Sequence, residues 1–459
     1  MKVLVFYINV LVLALLVCML PLVAHPDLTW HDQQRIGQVL VSTLCLIGLL
    51  LYGANKSVRI DRLWLGSGLS VLVLGGISSA LSKSPLWAFA ECALLVISIG
   101  IGAFVYLLAQ RFAERFDLVF GGLVRLLLCA MVLQFYVSFV SALMHADLYF
   151  HPWILLYGFS NIRHGGQFMT IAVPLLLAAI PRSDRIGLKY PRALDAFLLV
   201  SLVCMVFVAG TRGTVAAWLI IALIFLVFGG EAKKSGVRML WALPPGALLS
   251  WCILAIVSAV TGQPADFRFS GAQVLGLSAR EVLWEAAWAS IVQHPWLGVG
   301  PMHFASLGNP VAAHPHQALL QLASEWGLPA CAVVVVTTGV WLCRGVSSAR
   351  KSNDNSQAPL RWALLFSVMA SIVQSMVDGV LVMPYPQIWL SLVVGWCAAR
   401  CLPEPRYNTI LELPQWIFLA LWAAASGMLL WVVLTNYPQL VGAAELCGGG
   451  PRFWCDGRI

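Results

Sequence analysis

"RALDAFLLVSLVCMVFVAGTRGTVAAWLIIALIFLVFGG", residues Arg192–Gly230, decides the fold. Two apolar runs, 194–210 and 214–230, flank the short break Thr211–Arg212–Gly213. A bilayer core needs about 20 apolar residues in a helix and accepts about 17, so each run can cross it. The break has room only for a tight turn, and Gly210 and Gly213 supply the backbone freedom to make one. The stretch reads as a helical hairpin through a membrane, with a single arginine at its tip.

The rest of the chain repeats this pattern. Of its 459 residues, 60% are hydrophobic and only 10% charged, where soluble domains carry roughly 25% charge. Apolar segments of spanning length fall at 3–24, 36–53, 63–80, 87–108, 117–143, 165–181, 194–210, 214–230, 239–261, 317–343, 362–382, 386–401 and 415–435. The expected fold is all-α, a polytopic membrane bundle of 12–13 transmembrane helices. It divides into an N-terminal transmembrane bundle (1–260), a large outer loop (261–316), C-terminal transmembrane helices (317–435) and an outer tail (436–459). The first segment begins like a signal peptide but lacks a small-x-small cleavage site, and reads as a retained helix. There is no repeat of domain-building period and no low-complexity tract.

The net charge of +8 is a matter of topology rather than of a nucleic-acid partner. With the N-terminus in the cytoplasm, clusters such as Arg182, Arg185, Lys189 and Arg192, or Lys233, Lys234 and Arg238, fall in inside loops. That is the usual bias of Lys and Arg in membrane proteins. Ten of the 12 cysteines lie in or beside apolar runs and read as small buried hydrophobes. Cys447 and Cys455 lie in the tail, on the oxidising side, and are candidates for a disulfide. No His/Cys spacing suggests zinc, and no metal is expected.

The polar residues that resist this pattern gather on the outer side. "SAREVLWEAAWASIVQHPWLGVG" (Ser278–Gly300) places Val282, Trp284, Ala287, Trp288 and Ile291 at helical spacing, as in an amphipathic helix near the membrane surface. "AHPHQALLQLASEWGLPA" (Ala313–Ala330) brings His314 and His316 to the mouth of a span. Gln317, Gln321 and Glu325 follow at a spacing of four, as one stripe. Such a stripe either faces a cavity or partner or packs on another polar helix. Histidine, with an unperturbed pKa of about 6.5, suits a general base, although an interfacial or metal-binding pair is the alternative. Arg212, Arg280 and Arg163, the last beside His164, are positive charges on the wrong side. A guanidinium fork fits phosphate, so a lipid with a diphosphate head would account for all three, while ordinary headgroups would account for any one. Asp378, near the outer end of its span, could orient a histidine, balance an arginine or cap a turn. Glu281 and Glu285 read as solvated charges, and nothing supports a two-carboxylate glycosidase scheme.

These stretches, "TRG" at a hairpin tip, Arg280-x-x-x-Trp284 followed by "HPWLGVG", and "HPHQALLQLASEWG", resemble the O-antigen ligase and polymerase superfamily, which includes the bacterial protein O-oligosaccharyltransferases. The resemblance runs from about Asn161 to Pro329. It implies a bacterial inner-membrane enzyme with a periplasmic active site. The expected reaction is an inverting, metal-independent and cofactor-free glycan transfer from undecaprenyl diphosphate. Arg212 and Arg280 would bind the diphosphate, with Arg163 nearby. His316 would be the essential histidine, with His314 beside it, and Gln317 stands where the family often has asparagine. The first expectation for the acceptor is lipid A-core. A Ser or Thr of a pilin-like protein, and another lipid-linked repeat, are the alternatives. A transporter of lipid-linked glycan is the reading from a different class. Polar residues gathered at one surface favour an enzyme, whereas transporters place theirs near the midplane.

Overall fold

A computed structural model describes residues 2–52, 57–145, 155–179, 192–262, 280–308, 311–352, 356–403, 410–440 and 452–454. Cys447 and Cys455 lie outside the described residues. The helices are α1 (Lys2–Met19), α2 (Trp30–Tyr52), α3 (Arg62–Leu81), α4 (Pro85–Met144), α5 (Ile162–Ala179), α6 (Arg192–Val208), α7 (Arg212–Phe228) and α8 (Gly230–Thr261). They continue as α9 (Arg280–Gln293), α10 (Ala318–Trp326), α11 (Leu328–Lys351), α12 (Ala358–Ser375), α13 (Pro384–Cys401) and α14 (Gln415–Leu440). By length and composition, six described helices are apolar and long enough to cross a membrane, and α1, α6 and α7 are shorter apolar helices. In hydrocarbon every backbone N–H and C=O must find a partner within the protein, which a helix provides along its own length. The protein is a polytopic all-α membrane bundle.

One small departure from all-α is a two-stranded antiparallel ribbon, β1 (Ser57–Asp61) with β2 (Ile410–Pro414), in register Ser57↔Pro414 to Asp61↔Ile410. Asp61 ends the ribbon and caps α3 by accepting the Leu63 N–H at 3.0 Å. Its other oxygen accepts from Arg344 Nη1 at 2.8 Å, and that guanidinium lies 5.3 Å over the Trp64 ring.

α5 and α12 form the centre, buried on nearly every side, as expected of helices enclosed by other helices. Lipid tails are as apolar as the side chains, so close packing and internal hydrogen bonds hold such helices together. Ser367 Oγ of α12 donates to the Ile171 carbonyl of α5 at 2.5 Å. Phe168, Tyr385 and Trp389 join α5 to α13, with ring centroids 5.0–6.3 Å apart. Arg125, which falls within the predicted span 117–143, is paired with Asp195 of α6 at 3.1 Å.

The structure keeps one predicted boundary, divides one predicted span and changes one predicted face. The predicted spans 87–108 and 117–143 are two arms of α4, broken at Ala113 (φ 43°, ψ −119°). Gly102 and Phe120 both lie against the same turns of α13, so the chain doubles back at the break. The predicted span 317–343 is interrupted at Gly327, giving α10 and α11. On α9 the buried face is Leu283, Ala287, Ser290 and Ile291, while Val282, Trp288 and Val292 point outward. Of the expected stripe, Val282 and Trp288 are therefore not on the packed face.

Candidate functional site

The site forms where four helix ends and one loop meet. α5 and α7 begin there, α12 ends there, α9 begins there, and the loop before α10 carries the histidines. The α7 start is pressed into place by small residues. A Cβ on Gly166 of α5 would meet the Thr211 side chain at 2.5 Å, and one on Gly213 would meet Val377 at 3.3 Å. Thr214 Oγ1 donates to the Gly166 carbonyl at 3.0 Å and accepts from Gln374 Nε2 at 2.9 Å. Arg212, the first residue of α7, is thereby fixed beside the end of α12.

Asp378 lies three residues beyond the end of α12, in the turn before α13, rather than on the helix itself. Its Oδ1 accepts from Gln167 Nε2 and from the Gly379 N–H, both at 2.8 Å, and lies 3.7 Å from His316 Nδ1. Oδ2 accepts from Gln374 Nε2 at 3.4 Å. Burial pushes this carboxyl up, but His316, the Gly379 N–H and Gln167 together outweigh it and hold the carboxyl below its usual value. Asp378 is therefore an ionised acceptor facing an imidazole.

The two histidines lie in edge-to-face contact, with ring centroids 4.1 Å apart. His314 Nδ1 accepts the His316 backbone N–H at 3.2 Å, so its proton resides on Nε2. His316 has φ +52°, a region that costs a residue with a side chain of order 1–3 kcal/mol and that persists only where neighbours enforce it. Here the neighbours are His314, Asp378 and Trp284, whose Nε1 donates to the Pro315 carbonyl between the two histidines at 3.1 Å. His314 is buried. Desolvation first, then the charges of His316, Arg452, His164 and His31, push its pKa well below the ordinary value. It is neutral. A side chain on Gly379 would collide with it, 2.7 Å from Cε1.

Arg280 opens α9, the helix whose Trp284 holds the His-Pro-His turn. Burial lowers its pKa, with Asp378 opposing and Arg212 adding to the effect. Arg280 thus shares its surroundings with both residues. The structure brings Arg212, Arg280, His314, His316 and Asp378 to one place, with His164 near enough for its charge to act on His314. Arg163 begins the same helix as His164 and Gln167, half-buried, its N–H on the Asn161 side chain. Gln317 caps α10, accepting the Leu320 N–H. Gln167, Gln374, Thr214 and Trp284 join the site unpredicted as polar members. The only signals in sequence were the spacing of four from Gln374 to Asp378 and from Arg280 to Trp284.

The rest of the polar stripe leads elsewhere. Gln321 and Glu325 face a partner rather than another polar helix, and the partner is Arg452, far along the chain. Arg452 Nη1 and Nη2 reach the two Glu325 oxygens at 2.6 and 3.0 Å. With its amide turned so that oxygen faces the guanidinium, Gln321 accepts from both at 3.2 and 3.1 Å.

The "HPWLGVG" segment docks on this same region. The helix break at Gly327 (φ +86°) would leave carbonyls of the last turn of α10 without partners. Val299 and Gly300 N–H groups fill that role at Ser324 and Glu325, at 2.9 and 3.0 Å. The approach is so close that a Cβ on Gly298 would lie 2.5 Å from the Glu325 carbonyl carbon, and one on Gly327 would lie 2.2 Å from the Trp296 oxygen.

Chemically, the arrangement offers two guanidinium groups that can stabilise growing negative charge. It also offers an imidazole whose Nδ1 faces a carboxylate at 3.7 Å, a group of the kind that can take a proton. Among known proteins, a family model described as O-antigen ligase matches residues 197–335, from α6 into α11. That range contains Arg212, Arg280, both histidines and Glu325, and stops short of Asp378 and Arg452. No curated protein matches the chain.

Proposed function

We propose, for a membrane protein that carries the O-antigen ligase family domain over residues 197–335, that it transfers glycan from undecaprenyl diphosphate to lipid A-core at the periplasmic face of a bacterial inner membrane. The chain is a ligase- or polymerase-type membrane enzyme. The observation that supports the finer reading is the convergence of Arg212, Arg280, His316 and Asp378 at one end of the bundle.

The acceptor hydroxyl oxygen attacks the anomeric carbon as the bond from that carbon to the diphosphate oxygen breaks. The electron pair of that bond leaves with the diphosphate. Arg212 and Arg280 receive the charge as it grows, a contribution worth more in a site that excludes water. The hydroxyl proton passes to His316. With Nδ1 turned toward Asp378, Nε2 is the nitrogen that accepts it, and the carboxylate steadies the resulting imidazolium. His314, kept neutral, holds the backbone of His316 rather than moving a proton.

Purified protein in nanodiscs, given a polyprenyl-diphosphate glycan, is offered lipid A-core, a Ser/Thr pilin-type protein, or donor alone. Product on lipid A-core supports the reading. Product on the protein, or lengthened donor, moves the chain to the oligosaccharyltransferase or polymerase branch. No transfer, with movement of lipid-linked glycan across vesicles, makes it a transporter. Arg280→Ala and His316→Ala should each lower kcat by about 100-fold or more while leaving the protein folded. Normal turnover by either variant removes that residue from the mechanism.

A further inference from the structure

Residues Arg452–Trp454 return to the bundle and lie against the segment that carries the histidines. Arg452 is 2% exposed. Besides both oxygens of Glu325, its guanidinium approaches Glu91 of α4 at 3.5 Å and the Ala313 carbonyl at 3.4 Å. Burial works against its charge, and Glu325 and Glu91 more than offset that. The next residue is anchored too. The Phe453 carbonyl accepts from Arg35 Nε at 3.3 Å and faces His31 Nε2 at 3.3 Å, and the Phe453 ring lies 5.3 Å from the Arg35 guanidinium carbon. Two residues of the tail, Arg452 and Phe453, therefore join α2, α4, α10 and the residue that precedes His314.

Filling this gap with apolar side chains would hold the bundle at least as well, because burying charges costs desolvation that their attraction often does not recover. What a guanidinium adds is direction, since its planar fork fixes where its acceptors lie. One of those acceptors is the Ala313 carbonyl. Ala313 is bonded to His314, whose Nδ1 takes the His316 N–H. Glu325 in turn accepts the Phe304 N–H at 3.1 Å, tying down the loop that runs toward the histidines.

We infer that Arg452 is a positioning residue: clamped between Glu91 and Glu325, it holds the Ala313 carbonyl and so sets the His314–His316 turn against Asp378. The inference rests on the proposed transfer reaction. The charged and titratable groups that bear on the turn are His31 and Arg35 on α2, Glu91 on α4, His164 on α5, Arg212 on α7, Arg280 on α9, Glu325 on α10, Arg452, Asp378 and, within the turn, His316 beside His314.

The full chain in nanodiscs is assayed as wild type, Arg452→Gln and Arg452→Lys, with Arg280→Ala alongside. In the folded, monodisperse fraction, Arg452→Gln should lose about 10- to 100-fold in kcat, the scale of a sub-ångström to 1 Å misplacement. KM for the donor should stay within about twofold, because the diphosphate arginines are untouched. The acid limb of kcat should move to higher pH, since without the cation His314 takes a proton more readily and can no longer accept the His316 N–H. Arg452→Lys should keep the acid limb in place yet turn over several-fold more slowly, because an ammonium cannot span both carboxylates and the carbonyl. Wild-type kcat and pH profile in folded Arg452→Gln, or wild-type kcat in Arg452→Lys, overturns the inference. If the glutamine variant does not fold, the lysine variant decides alone by the same kcat criterion. Normal turnover by Arg280→Ala sinks the reaction reading instead, whatever the Arg452 variants do.

Discussion

His314 and His316 carry the same kind of side chain and sit two positions apart, yet their surroundings assign them different duties. His314 is enclosed and neutral, so unfolding must expose it to water, where it gains a proton below about pH 6.5. Because its folded pKa is lower than its unfolded one, the unfolded state binds more protons in that range. The stability it contributes is full above about pH 6.5 and is lost as pH falls through the folded value. The detergent-solubilised protein should therefore melt at a lower temperature at pH 5.5 than at pH 7.5, and His314→Gln should reduce that difference. An unchanged slope in the variant would mean that the imidazole is not buried neutral. At this scale the sequence was informative wherever a polar group broke an apolar pattern, as Arg212, Arg280, His314, His316 and Asp378 all do. It was silent on Gln167 and Thr214, and marked Gln374 only by its spacing of four from Asp378. These sit in ordinary helical sequence and acquire meaning only because Gln374 lies 160 residues from Thr214 in the chain and 2.9 Å from it in space.

Helix existence could be read from hydropathy, because the bilayer imposes a length and a polarity that leave their mark residue by residue. The break at Ala113 falls in the gap between the predicted spans 87–108 and 117–143, whereas the break at Gly327 left no mark in hydropathy. At Ala113 the doubling of α4 frees carbonyls of the last turn before the break, and Arg400 of α13 meets them. Its Nη2 donates to the Ala109 and Ala113 oxygens at 3.0 and 2.8 Å, and its Nε reaches Asp117 Oδ1 at 3.0 Å. Trp396 Nε1 completes the carboxylate at 2.7 Å. In sequence Arg400 is one more cytoplasmic positive charge; only the fold shows it is a splint for a bend nearly 290 residues earlier. Arg400→Met should cost about 3–5 kcal/mol, the scale for stranding one partner of a buried ion pair. The midpoint of chemical unfolding in detergent measures it. A shift of less than about 1 kcal/mol, the scale of an exposed pair, would mean that water already serves the bend.

The molecule as a whole has two unlike ends. One carries the site, the docked loop and the tail; the other carries the β1–β2 ribbon and Arg344. The distribution of Lys and Arg predicts the first to be periplasmic. A cysteine placed at the exposed Glu281 should react with a membrane-impermeant maleimide in intact cells with a permeabilised outer membrane, while one at Lys233 should react only after lysis. The reverse pattern would turn the protein over and remove the periplasmic assignment. What the sequence could not disclose at this scale is closure. Arg452 reads as a stray charge in a polar tail, because its partner lies 127 residues upstream.

The central pair α5 and α12 carries a last implication. These two helices are enclosed by protein, and the carboxylate that faces the imidazole follows the end of α12, held by Gln167 of α5 and Gln374 of α12. Changes in bilayer thickness or lateral pressure fall first on the peripheral helices, which can tilt or slide. The seat of the carboxylate, though not that of the imidazole, is thereby set apart from the lipid composition of the surrounding leaflet.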